Sequence, residues 1–161
     1  MDGERSHHEN VMAYESAQLK GERQFKLKSY KLANKYFTLA INVLDDLLNA
    51  ASKSSIVLND ENHLKSCLAH SYCMRGQCLT HVKIFDLAVK DYSKAIILDK
   101  DNINAHLNRG MVYKLKGSYM HAEDDFTKVI DLSPRHGLAH FYRGNVRKCQ
   151  NKIPEAFKDY E

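Results

Sequence analysis

The sequence has no uninterrupted apolar run approaching the ~20 residues of a helical membrane span, so no membrane insertion is expected. Its start, MDGERSHHEN, lacks the basic and apolar regions of a signal peptide. There is no Asn-x-Ser/Thr sequon, and Cys67, Cys73, Cys78 and Cys149 form no CxxC pair. Reduced thiols in the cytoplasm or nucleus are the simplest account. Nucleophile motifs, phosphate loops and His-Glu-x-x-His are missing as well, so neither catalysis nor a cofactor is expected. The formal charge is only +4, with both signs mixed along the chain. That is a solvated surface rather than the basic stripe of a nucleic-acid binder.

Metal-binding patterns are incomplete. Cys67, His70, Cys73 and Met74 share one helix face, but a zinc site needs four convergent ligands in paired spacing. Asp99-Lys100-Asp101-Asn102 starts like a calcium loop, yet Ile103 stands where a ligand belongs and the turning Gly is missing. No metal site is expected.

What the sequence does have is a period. Arg75-Gly76, Arg109-Gly110 and Arg143-Gly144 recur every 34 residues, each followed by an Ala (Ala88, Ala122, Ala156). Asp91-Tyr92, Asp125-Phe126 and Asp159-Tyr160 follow each Ala at a constant distance. Units of 34 from Ala69, Ile103 and Gly137 each read as two amphipathic helices joined by a turn, such as Lys116-Gly117-Ser118 or Asn151-Lys152. Phe85, Ala88, Val89, Tyr92, Ala95 and Ile96 have helical spacing and fill a seam that one unit cannot bury alone. The recurring Gly and Ala are expected where antiparallel helices cross.

Aligning Gly21 with the recurring Gly exposes an earlier copy, with Tyr30, Ala33, Phe37, Ala40 and Ile41 on the places of Phe85, Ala88, Tyr92, Ala95 and Ile96. The expected organisation is a polar N-terminal segment, 1–13, followed by one domain, 14–161. Its repeats are about 14–47, 69–102, 103–136 and an incomplete 137–161, with an insertion and helix extension at 48–68. The extension includes a polar link at 52–60. The last unit stops nine residues short of 34, so a longer array is expected.

At these residues the pattern resembles the tetratricopeptide repeat. The unit Ile103 to His136 carries the resemblance through Gly110, Tyr113, Gly117, Tyr119, Ala122, Phe126 and Pro134, and the preceding unit through Tyr72, Gly76, Phe85, Ala88, Tyr92 and Ala95. The Arg before each Gly is a departure, since Leu is usual there. The resemblance implies an all-α fold, helix-turn-helix repeats stacked in a right-handed superhelix, with first helices lining a peptide-holding groove. The long second helix is also similar to the repeat domains of large immunophilins and related co-chaperones, which grip acidic chaperone tails with a two-carboxylate clamp. Carried over, that clamp falls on Gln18, Glu22, Met74, Asn104 and Asn108. None of its three cations is present, and Glu22 would repel a carboxylate.

Candidate groove residues are His70, Met74, Gln77, Asn104, Asn108, Met111, Lys114, Phe141, Tyr142, Asn145 and Lys148; spacing adds Cys73 and His81 to this face. Amides can give and accept hydrogen bonds along an extended peptide, Met offers adaptable apolar contact, and Lys114 and Lys148 favour an acidic or phosphorylated segment. Arg75, Arg109 and Arg143 are expected to form structural ion pairs with Asp91, Asp125 and Asp159. The reading is a non-catalytic adaptor for a protein or peptide partner. Its alternatives are a co-chaperone module binding chaperone tails, or an element that self-associates through the incomplete C-terminal repeat.

Overall fold

A computed structural model describes the backbone of residues 2–53 and 61–161 and the side chains of 8–50 and 61–161. Among them are eight helices and no strand: α1 (Asp2–Lys26), α2 (Tyr30–Lys53), α3 (Glu61–His81), α4 (Phe85–Leu98), α5 (Ile103–Leu115), α6 (Tyr119–Leu132), α7 (Gly137–Cys149) and α8 (Ile153–Tyr160). Each packs on its neighbours in sequence, and α1, α3, α5 and α7 also touch in that order. The product is a stack of helical hairpins. Residues 2–13, expected as a separate polar segment, form the first half of α1. Of the polar link at 52–60, residues 54–60 lie outside the described residues.

The hairpin turns share one local device. Lys28, Lys83, Gly117 and Asn151 all adopt left-handed backbone, with φ of 59°, 64°, 75° and 63°. The residue after each donates its N–H back into the last helical turn: Ser29 to Gln24 O, Ile84 to Leu79 O, Ser118 to Tyr113 O and Lys152 to Arg147 O, at 2.8 to 2.9 Å. This closes helix ends whose carbonyls would otherwise lack partners. Gly117 adopts the turn without steric cost, whereas two lysines must hold it against their own Cβ. The links between hairpins instead end in a cap: Asn102 Oδ1 accepts from the Ala105 N–H at 2.9 Å, and His136 Nδ1 from the Ala139 N–H at 3.2 Å.

The recurring glycines have a specific job. A Cβ on Gly21 would lie 2.7 Å from the Phe37 ring, on Gly76 2.8 Å from Tyr92, on Gly110 2.9 Å from Phe126, and on Gly144 2.5 Å from Tyr160. Each aromatic therefore lies directly on the bare backbone of its partner helix. Ala33, Ala88 and Ala122 beside them are fully buried, which brings the two helices close enough for that contact. Phe37, Tyr92 and Phe126 are buried in consequence, each contributing about 1.5–3 kcal/mol of apolar burial.

Candidate functional site

The periodic arginines hold the stack together in two directions. Arg75 donates from Nε and Nη2 to the two carboxylate oxygens of Asp91, both at 2.7 Å. Arg109 donates to both oxygens of Asp125 at 2.9 and 2.8 Å, and Arg143 reaches Asp159 Oδ1 at 2.6 Å. Such fork-on-carboxylate pairs are strong because two parallel charged bonds form at once. The remaining nitrogen, Nη1, turns to the previous hairpin: Arg109 to Ser93 Oγ at 2.9 Å, Arg143 to Thr127 Oγ1 at 3.3 Å, and Arg75 to Thr38 Oγ1 at 3.4 Å. Sequence reasoning missed these hydroxyls, although Ser93 and Thr127 each stand two places after the periodic Asp.

Charge follows from this geometry. The hydrogen bonds of Asp91 raise the pKa of Arg75 against the cost of its burial. Burial disfavours the charge on Arg109, but the hydrogen bonds and negative charge of Asp125 outweigh it and the pKa rises. Asp125 also faces buried His106, whose Nδ1 lies 2.9 Å from Oδ1 while its Nε2 lies 3.1 Å from the Lys100 carbonyl. Glu123 bridges Arg147 and Lys152 at 2.8 Å each; burial works against its charge, yet those two cations lower its pKa.

The candidate groove residues lie on three of the first helices, α3, α5 and α7. Gln77 and Asn108 are half-buried, and their amides have no hydrogen-bond partner among the described residues. Asn104 and Lys148 are exposed. Met74 packs beside Phe37, and Met111 beside Phe126, so each anchors its stem in the core. Lys114 Nζ sits 5.0 Å from the centroid of Tyr142, a cation over an aromatic face joining α5 to α7. Tyr142 in turn packs against Phe126 and exposed Phe141, both at 5.6 Å.

Several residues on this face are already engaged. Asn145 Oδ1 accepts from Tyr160 OH at 3.0 Å, and His81 stacks on Tyr30 at 4.0 Å. His70 lies 3.7 Å from Glu22. Cys73, placed on the face by spacing, is instead buried, and desolvation pushes its thiol up to about 12. At the places of a carboxylate clamp, Gln18 is buried; it accepts from Ser71 Oγ at 3.1 Å and donates to Glu22 at 2.9 Å. These groups tie α1 to α3.

Stacked helix-turn-helix hairpins of constant period, with their first helices forming one continuous face, define a helical-repeat protein. The family description "TPR repeat" matches residues 85–117, and "Tetratricopeptide repeat" matches 103–136. Human DnaJ homolog subfamily C member 7 is 29% identical over 120 residues, 74% of this chain but 21% of that protein. The chain thus spans about a fifth of the length of that curated relative. Among solved structures, the Arabidopsis OM64 TPR domain superposes with a TM-score of 0.69 at 27% identity, covering 86% of this chain and 98% of that one. The second TPR of Spaghetti (RPAP3), bound to the HSP90 peptide SRMEEVD, gives 0.60 at 29% identity, covering 63% and 93%. Residues 85–136 thus carry tetratricopeptide repeats, on a fold shared with tetratricopeptide-repeat domains.

Proposed function

We propose that this chain is a non-catalytic adaptor that holds an extended segment of a protein partner on the face of α1, α3, α5 and α7. The observation that carries the reading is the row of unpartnered, half-buried amides, Gln77 and Asn108, flanked by core-anchored Met74 and Met111. Such amides can bond a peptide backbone without losing internal hydrogen bonds, and the methionines adapt to apolar side chains between them. Lys148 adds a free cation at the α7 end, which favours a segment carrying negative charge there. Among the described residues no helix is long and apolar enough to cross a membrane. The four free thiols support a reducing compartment, cytoplasm or nucleus, as the working place.

The likeness to a domain bound to an HSP90 peptide makes a chaperone tail the natural rival ligand. Here the clamp places hold Gln18, Glu22, Met74, Asn104 and Asn108. Each missing charge-assisted bond forfeits about 1.5–3 kcal/mol, which argues for a ligand less acidic than such a tail. The test is a peptide array probed with wild type and with Gln77→Ala/Asn108→Ala, alongside a direct titration with SRMEEVD. Array binding untouched by the double substitution sinks the groove reading; tight SRMEEVD binding replaces it with the co-chaperone one. A second reading, self-association, is favoured by Leu138, Phe141 and Phe157, which are 56%, 51% and 64% exposed on α7 and α8. Sedimentation velocity across concentration decides it.

A further inference from the structure

A second cleft, of about 380 Å³, opens between α2 and α4 over the side of α3 and shares no residue with the amide-lined face. Arg75, Lys90, Lys94, Asp91, Asn34 and Thr38 line it. In the lining three cations stand against one carboxylate, which Arg75 already grips at both oxygens; beyond it, Asp45 acts on Arg75, and Asp86, itself bonded by Lys116, acts on Lys90. Lys90 is exposed, and among the described residues Lys94 has no carboxylate partner; it donates to the Tyr72 hydroxyl at 3.2 Å and lies over that ring. Arg75 Nη1 reaches Thr38 at 3.4 Å, a looser bond than the 2.9 Å that the equivalent nitrogen of Arg109 makes with Ser93. The cleft therefore holds positive charge and N–H donors in excess of its internal acceptors.

Two comparisons sharpen this. One hairpin further on, the position of Lys90 is occupied by Asp124, and that of Lys94 by Lys128, which is paired with Asp101 at 3.0 Å. The excess charge is therefore absent one hairpin further on. Asn34 also has its Oδ1 buried without a partner, which is costly where it stands.

We infer that the α2/α4 cleft binds a phosphomonoester dianion carried on a side chain of a partner protein. A phosphate group matches the surplus, bringing close to two negative charges and three strong acceptor oxygens for Arg75, Lys90 and Lys94. A single carboxylate brings half that charge and fewer acceptor oxygens.

The test is an NMR titration of the ¹⁵N-labelled chain with acetyl-Ala-phosphoserine-Ala-amide, its unphosphorylated form and the glutamate version. The phosphopeptide should give saturable shifts at the amides of Asn34, Thr38, Lys90 and Lys94, with weaker shifts from glutamate and none from serine. Lys90→Glu/Lys94→Glu should weaken binding by about tenfold or more, from the loss of charge-assisted bonds. Lys128→Glu, in the neighbouring cleft, should leave it unchanged. Equal binding of the glutamate peptide, equal affinity in wild type and Lys90→Glu/Lys94→Glu, or no saturable shift at these amides overturns the assignment.

Discussion

Alanine in place of Gly110 sets two known effects against each other. In a helix interior the change by itself stabilises by about 1 kcal/mol, because glycine loses more backbone entropy on folding. Against this, the new Cβ would stand 2.9 Å from Phe126 Cε1 and 3.1 Å from Cδ1 and Cζ. Phe126 is fully buried and pinned by Tyr142 across a 5.6 Å stack, so its ring has nowhere to go. Overpacking of that kind costs about 1–3 kcal/mol, leaving a net loss of up to about 2 kcal/mol. Gly144 makes the contrasting case. Its Cβ would come closer still, 2.5 Å from Tyr160, but that ring is 45% exposed on the last turn of α8. It can swing aside by giving up its bond to Asn145, worth about 0.5–1.5 kcal/mol, which the gain in helix propensity largely offsets. Urea unfolding followed by far-ultraviolet circular dichroism should show a lower midpoint for Gly110→Ala and almost no shift for Gly144→Ala. Equal shifts in the two variants, or a higher midpoint for Gly110→Ala, would refute the argument that ring mobility decides the sign.

Three further outcomes are expected. A double-mutant cycle on Arg109 and Asp125 should return a coupling of about 1.5–3 kcal/mol, since the pair is bidentate and largely buried. Asp125→Ala alone should cost about 3 kcal/mol or more and exceed Asp91→Ala, because it strands His106 as well as Arg109. Additive single effects would remove the structural role given to the pair. Glu123 has a lowered pKa, so its contribution to stability is present above the ordinary carboxylate range and is lost as pH falls through the lowered value. Glu123→Gln should therefore lose stability at neutral pH and show a flatter acid limb in thermal melts; an acid limb identical to wild type would contradict this.

Repetition made a large part of the architecture legible. Contacts inside a hairpin recur at a constant separation, so Gly with its aromatic, and Arg with its Asp, appear as one pattern written several times. The glycine's partner was less obvious. A small residue signals close approach, but not that the approaching group is a ring rather than a second helix backbone. The insertion at 48–68 was visible as a break in period, and α2 and α3 are the long helices on either side of it.

The period, the hairpin unit and the list of small, aromatic and charged residues that repeat were determined by the sequence alone, because they depend on separations within one unit. Contacts between units depend on how each hairpin is stacked on the last; Arg109–Ser93 and Arg143–Thr127 share a separation of 16, but that spacing acquires meaning only once the stacking is known. Only the tertiary structure joined Arg109 to Ser93 and His106 to Lys100, buried Cys73, and engaged Asn145 with Tyr160. It also gathered Arg75, Lys90 and Lys94 into one cleft while pairing off Lys128 in the next. Surface charge belongs to no repeat consensus, so its meaning emerges only when stacking sets which side chains face the same space.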